Sequence, residues 1–362
     1  MPHGFRSWPQ PDLIESPAAM KFLSVIAIVL TMASGLTAAK TLDMYVIDVG
    51  GKASLFVSPS GETMLIDAGI PATVDRIVDA CKALGVQKID YMVVSHYDGD
   101  HVGGVPPLVA KVPVVTFVDH GANVQMTPST IKNVDAYMAL TAKAKHLVVK
   151  AGDRIPIKGF DALVVMAAGK AIAEPLKGAG QPNPACGTTE RKIWGPNARG
   201  VVDNHDTNEN SQAIVLLITY GKFRMLDPAD LTWNKDRDLF CPANRVGTVD
   251  LYMTANHGIE NGNSPVMVNA VRPRVVIADN APNHGGTAEV YKIIEAAPGL
   301  EDYWQLNYAP GAGEKANVPA NFIANAAGTP GGKWIKVSVE KDGTFTITNT
   351  GNNFTKTYKP KK

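Results

Sequence analysis

The chain contains three cysteines in 362 residues, too few for a disulfide-built scaffold or for a zinc site made mainly of thiolates. Neither sign of charge is in surplus: Lys plus Arg number 35 and Asp plus Glu 34, a formal net charge of +1. A chain that wraps nucleic acid tightly usually shows a strong basic excess, and none is present. No internal repeat is evident. Beyond the N-terminal region no apolar run approaches the roughly eighteen residues of a membrane span. What the sequence does have is 45% hydrophobic and 19% charged residues, a mixture that buries a core and excludes a disordered chain. The length suits one large domain or two small ones.

Residues 1–19 are polar and carry no clear pattern. Met20-Lys21 then opens an apolar run, Phe22 to Ala33, followed by small residues up to Ala38-Ala39. A positive start, a short apolar stretch and a small-residue exit predict a secretory signal peptide over 1–39, cleaved after Ala39 with Thr37 and Ala39 as the small pair. Met20 offers an alternative start, with residues 1–19 a mis-assigned extension. An uncleaved anchor is the other reading, although the run is short for a span. The expectation is an exported protein, periplasmic or extracellular, with no stable membrane insertion after cleavage. Cys186 and Cys241 lie in irregular segments and are free to pair in an oxidising compartment. Cys81 shares helical spacing with Val74, Ile77, Val78 and Leu84 and reads as a buried apolar residue.

The remainder, 40–362, reads as a single domain. Short strands are predicted at Leu42 to Val49, Ala53 to Ser58 and Glu62 to Asp67, turned by Gly50-Gly51 and Ser60-Gly61. A helix follows from Val74 to Leu84, then a buried strand from Ile89 to Val94 and another from Pro113 to Val118. Thr127 to Ala144 is predicted as a helix capped by Thr127 or Ser129. Strands recur at Leu147 to Lys150, Arg154 to Ile157, Phe160 to Met166, Ala213 to Tyr220, Phe223 to Leu226, Leu251 to Thr254, Val275 to Ala278, Trp334 to Val339 and Thr344 to Asn349. Helices are expected at Pro265 to Ala270 and Thr287 to Ala296. Residues 168–210 are rich in Gly, Pro and Asn and predict a long loop, which in a compact domain is usually functional. The recurrence of hairpins and then helices in both halves predicts a two-sheet core with helices outside.

The strongest signal is Ser95-His96-Tyr97-Asp98-Gly99-Asp100-His101-Val102-Gly103-Gly104, directly after the apolar strand Ile89 to Val94. Four ligand-type side chains fall between residues 96 and 101, two of them among only eight histidines. Gly99 and the Gly103-Gly104 pair relax the backbone so that all four turn toward one point. Imidazole and carboxylate together bind divalent metals, and this density of charge at the end of a core strand is costly without a counter-ion.

These residues resemble the second motif of the metallo-β-lactamase fold superfamily. The usual form there is His-x-His-x-Asp-His; here Asp98 takes the place of the second histidine. His-x-Asp-x-Asp-His followed by Gly-Gly is similar to the hydrolase domain of the ComEC competence proteins and their secreted relatives. Other landmarks agree in order. They are Tyr45-Val46-Ile47-Asp48-Val49-Gly50, Leu65-Ile66-Asp67-Ala68-Gly69, Asn208-Glu209-Asn210-Ser211 with Tyr220-Gly221-Lys222-Phe223-Arg224, Asp227-Pro228-Ala229-Asp230-Leu231, Asn256-His257-Gly258, and Pro298 to Gln305. The resemblance spans about residues 42 to 325 and implies an α/β fold, a four-layer αββα metallo-β-lactamase sandwich.

It also implies two divalent metal ions, Zn or Mn. His96 and Asp98 would hold one, Asp100, His101 and His257 the other, and Asp230 would bridge both. The harder oxygen ligand at Asp98 admits manganese or magnesium beside zinc. Two departures bear on this: Ala229 replaces a glycine before the bridging carboxylate, and Asn256 stands where a histidine is common. His205, in Asp203-Asn204-His205-Asp206, is a candidate for the third-motif ligand. Asp67 is a candidate that either touches the metal or fixes the ligand loop, the second role being preferred. His284, ahead of a helix, is a candidate near a bound anion, and His120 follows a core strand. Asp100 and His257 are the expected catalytic pair. The chemistry implied is hydrolysis by a hydroxide held between two divalent ions. The resemblance favours a phosphodiester, and the near-neutral charge favours a small-molecule or short one, with nucleic acid still open. A lactone or lactam hydrolase is the alternative, and a binding protein with a degenerate metal site is the third reading.

Overall fold

The computed structural model describes residues 41–195 and 204–360, together with Met1 and Gly4. Apart from Met1 and Gly4, the predicted signal peptide lies outside the described residues. No helix among those described is long and apolar enough to cross a membrane.

Six strands are built first: β1 Leu42–Ile47, β2 Ser54–Val57, β3 Thr63–Ile66, β4 Ile89–Val93, β5 Val114–Asp119 and β6 Lys145–Val148. The chain then crosses to a second sheet: β7 Arg154–Ile155, β8 Asp161–Ala167, β9 Lys170–Ala171, β10 Val215–Tyr220, β11 Phe223–Asp227, β12 Leu251–Met253, β13 Val275–Ala278, β14 Asp302–Asn307 and β15 Ile323–Asn325. Finally β16 Trp334–Val339, β17 Phe345–Asn349 and β18 Thr355–Tyr358 return to the first sheet, where β16 pairs antiparallel with β1. The first sheet runs β18-β17-β16-β1-β2-β3-β4-β5-β6 and the second β15-β14-β13-β12-β11-β10-β8-β7, with β9 on β8.

In both sheets an antiparallel hairpin leads into a parallel run. Strands β3 to β6 are parallel, as are β11 to β15. Parallel neighbours need crossovers, and helices supply them. Helix α1 Asp75–Leu84 joins β3 to β4, and the short α2 Gly99–Val102 and α3 Val105–Val109 join β4 to β5. Helix α4 Pro128–Thr141 joins β5 to β6, and its N-cap is Thr127, whose Oγ1 accepts from the Thr130 amide. A helical turn, α5 Ala185–Thr188, and α6 Arg237–Phe240 flank the second sheet, where α7 Pro265–Val271 joins β12 to β13 and α8 Ala288–Glu295 joins β13 to β14.

One apolar cluster, with Val46, Phe56, Leu216, Ile277 and Ile335, lies between the sheets, and one lies between each sheet and its helices. The result is a four-layer αββα sandwich. Strands β14, β15 and β18 had no sequence reading as strands; β14 buries Gln305 and Asn307, which break an apolar run, and β15 has three residues. The described part 168–195 of the predicted long loop is more ordered than its composition predicts. It carries β9, α5 and a Cys186–Cys241 disulfide, and its backbone pairs with residues 244–245 through Gly180 and Leu176.

The two sheets are tied at one end by Lys52, a wholly buried lysine in the β1–β2 turn. Its Nζ is 3.0 Å from Asp227 Oδ1 and 2.9 Å from Asp279 Oδ2, at the ends of β11 and β13. Burial works against this charge, and the two carboxylates outweigh it and hold the ammonium protonated. Lys52→Met leaves two buried carboxylates uncompensated. It is expected to cost about 3–5 kcal/mol in denaturant unfolding; a loss no larger than a surface mutation's would contradict the assignment.

Candidate metal centre

Ligands collect where parallel strands end, and here both sheets contribute. Strand β4 delivers His96 to His101, β11 leads to Asp230, β12 to His257 and β13 to Asp279 and His284. The His96 Nε2 lies 3.7 Å from Asp98 Oδ2 and 3.8 Å from Asp230 Oδ2. The His101 Nε2 is 3.4 Å from Asp230 Oδ1 and 3.1 Å from His257 Nε2, which in turn is 3.2 Å from Asp100 Oδ2. Among the described residues two groups have ligand atoms within 4.8 Å of one another: His96, His101 and Asp230, and Asp100, His101 and His257. The structure thus brings all six expected ligands together. It shares His101 between the two groups, and Asp98 stands beside His96 outside the tighter set.

The remaining candidates fall in different places. Asp67 ends β3 and is buried; its carboxylate accepts from the Ser95 amide at 2.8 Å and the Ser95 hydroxyl at 2.6 Å, and lies 2.8 Å from His101 Nδ1. It therefore orients the ligand loop and leaves the His101 Nε2 aimed at the centre. His284 Nε2 is 3.5 Å from Asp100 Oδ2, and the side chain is 45% exposed, so it stands at the entrance. His205 lies against Trp194, Asn208 and Asn261 and belongs to neither group. Asn256 and His257 occupy left-handed backbone, φ 48° and 52°, in the turn after β12. Asparagine is the side chain best tolerated there after glycine, which accounts for it in a role that needs no ligation. Ala229 also has a left-handed φ of 47°, held by Ala229 N–H to Asp227 Oδ1 and by Asn256 N–H to its carbonyl. The glycine of the family motif would sit there without strain.

Several supporting residues escaped the sequence reading. Glu209 is buried and accepts from the Tyr97 amide at 3.2 Å and the Val124 amide at 2.7 Å, with His120 Nε2 at 3.1 Å. It clamps the ligand loop from behind, and His120 is its partner. Lys52 carried no signal, because a lysine after a Gly-Gly turn reads as solvated. Asp279 did carry one: like Asp67, it directly follows an apolar strand. Asp48 lies elsewhere, bonded to Arg76, Asn307 and the Gly332 amide.

The side chains fit divalent cations. Among the described residues, the buried His96 Nε2 and Asp230 Oδ1 have no hydrogen-bond partner. Three carboxylates converge in a buried site, and two imidazole Nε2 atoms face each other, an arrangement that only a shared cation or proton relieves. Without metal, protons take that part. Burial, then repulsion from Asp100, pushes Asp98 up to about 7. Burial opposes charge on His257, yet Asp230 and Asp100 raise it to about 9. Burial likewise opposes charge on His101, and Asp230, Asp67 and Asp100 hold it well above the usual histidine range. Burial, with His101 alongside, brings His96 down to about 4 and leaves it a neutral ligand.

A family model for the metallo-beta-lactamase superfamily matches residues 47–180. The matched stretch contains Asp67 and the His96–His101 ligand loop, and over that stretch the chain is similar to that superfamily. Similar solved structures include a metallo-beta-lactamase with the HARLDQ motif from Cronobacter sakazakii, at 15% identity over 57% of this chain and 75% of that one, TM-score 0.36. MEM-A1, a subclass B3 metallo-beta-lactamase from a soil metagenome library, is 16% identical over 70% and 81%, TM-score 0.35. A diphosphatase of the PhnP family is 11% identical over 72% and 94%, TM-score 0.36. No curated protein matches the chain.

Two outcomes follow from this geometry. Asp67→Asn should weaken metal binding by about 10–100-fold in chelator competition, with little loss of fold; unchanged affinity would place Asp67 outside the ligand support. His257 in the metal-free fold binds its proton more tightly than the usual value of 6.5, so that stabilisation is complete below about pH 6.5 and is lost as pH rises through about 9. Chelator-stripped protein should therefore lose thermal stability across that window, and His257→Gln should flatten the loss. Superimposable profiles for the two proteins would contradict it.

Proposed function

We propose that the protein is an exported, metal-dependent hydrolase of phosphodiester bonds, related in its motifs to the ComEC-like secreted hydrolases. The observation that carries this reading is the oxygen-rich ligand set: Asp100 and Asp230 meet His96, His101 and His257 in one cluster, with Asp98 beside His96 at its edge. Such a set suits zinc or manganese and a phosphoryl centre, whose charged oxygens need cationic neutralisation. The Cys186–Cys241 disulfide supports export, because it belongs to an oxidising compartment.

When bound, two divalent ions would lower the pKa of water and polarise the attacked group. His96, His101, His257 and the three aspartates would hold them. Asp67 and Glu209 keep the His96–His101 loop in shape. His284 Nε2 is 3.5 Å from Asp100 Oδ2, and in this reading it would pass a proton to the departing oxygen. Its contribution depends on the leaving group, since p-nitrophenolate departs without help and an alkoxide does not.

The test is hydrolysis of bis-p-nitrophenyl phosphate against nitrocefin and a lactone panel, alongside metal analysis of the purified protein. The phosphodiester should turn over fastest. Asp230→Ala and Asp100→Ala should abolish turnover while the fold persists. His284→Gln should slow an alkyl phosphodiester by about 10²-fold or more and the nitrophenyl ester far less. Preference for nitrocefin or lactones would replace the substrate assignment, and metal-free, inactive protein would point to a binding role.

A further inference from the structure

The segment 168–195 is long, stapled by a disulfide, and unused by the metal centre. It walls a cleft of about 730 Å³ together with α6 and the residues after it. That volume falls in the range of about 300–1,000 Å³ typical of small-molecule sites. The cleft is lined by Lys170, Arg191, Arg237 and Arg245 against one carboxylate, Asp238. In a chain of net charge +1, four cations on one concavity are a local concentration.

Their charges are largely uncompensated. Asp238 is already engaged by Lys235, 2.6 Å away. The neighbouring Asp236 is buried and accepts from the Ser264 hydroxyl; burial holds its carboxyl well above the usual range, against the pull of Arg237 and Arg191. The Arg237 guanidinium donates to the Cys186 and Thr189 carbonyls, and Arg245 Nη1 to the Ile172 carbonyl at 2.8 Å. Neutral carbonyls fix these guanidinium groups in place without cancelling their charge. The Lys170 and Arg191 side chains have no hydrogen-bond or ion-pair partner among the described residues. The Cys186–Cys241 disulfide joins the two walls covalently, so the cationic array is held by the fold.

We propose that this cleft is an anion site for clustered phosphate groups, as in a pyrophosphate or adjacent phosphates of an oligonucleotide. Fixed guanidinium forks match phosphate oxygens, and four cations call for more than a single negative charge. The site is separate from the metal ligands and does not depend on the hydrolase reading.

The experiment titrates pyrophosphate, and in a second arm a short fluorescent single-stranded oligonucleotide, into the purified full chain at low salt. Wild-type protein should bind with an affinity that falls as salt rises. The double variant Lys170→Gln/Arg191→Gln changes two exposed side chains and should keep metal content and unfolding temperature. It should bind pyrophosphate at least about ten-fold more weakly. A parallel loss for the oligonucleotide identifies a nucleic-acid backbone as the occupant; loss for pyrophosphate alone identifies a small polyphosphate. Absence of wild-type binding, or affinity unchanged in the variant, would overturn the proposal. So would binding that survives the variant and disappears on chelation, which would put the anion at the metal centre. Turnover of bis-p-nitrophenyl phosphate, read separately, reports on the hydrolase assignment alone.

Discussion

The ammonium of Lys52 holds the two halves of the ligand set at a fixed separation. It rises from the first sheet and ends between Asp227 and Asp279 of the second. Its own amide donates to the Asp100 carbonyl at 3.1 Å, so the turn that carries it also supports the ligand loop. Beside it, Gly51 lies so close to that carbonyl that a Cβ would come within 2.1 Å of the oxygen. Each sheet alone has half a coordination sphere. Together with the apolar core between the sheets, this tie brings His96 and His101 up to Asp230 and His257.

That closure concentrates charge, and the supporting residues divide the work of tolerating it. Asp67 takes the far nitrogen of His101, and Glu209 takes the loop amide beyond His96. Neither adds an atom to the inner cluster. Burial raises Asp98 and lowers His96, with their neighbours adding to both shifts, while Asp230 and Asp100 outweigh burial and raise His257.

Much of this was legible in the chain. The ligand loop announces itself through four ligand-type residues after an apolar strand, and Asp67, Asp230 and His257 follow by their place in the motif order. The paired cysteines could be guessed only as irregular-segment residues, and the structure joins them. What stayed hidden has a common physical cause. Lys52 and Glu209 are charged residues whose burial depends on partners far away in sequence, 227 positions for Lys52 and Asp279. Local periodicity carries no trace of such pairs. Strand β14 was missed for a related reason: buried Gln305 and Asn307 satisfy their polar groups through Val318, Asn280 and Asp48, so polarity did not mark exposure there. The loop 168–195 looked structureless by composition because its order comes from tethers to residues 234–245 and not from its own pattern.

The way β16 closes against β1 has a consequence for biogenesis. Leu42 pairs with Val339, so this flank of β1 is left open until β16 has been made. Through that interval an apolar, hydrogen-bonding edge is available to other chains. The order of synthesis and the order of sheet assembly are at odds, and a nascent copy would need shielding until its last hairpin arrives.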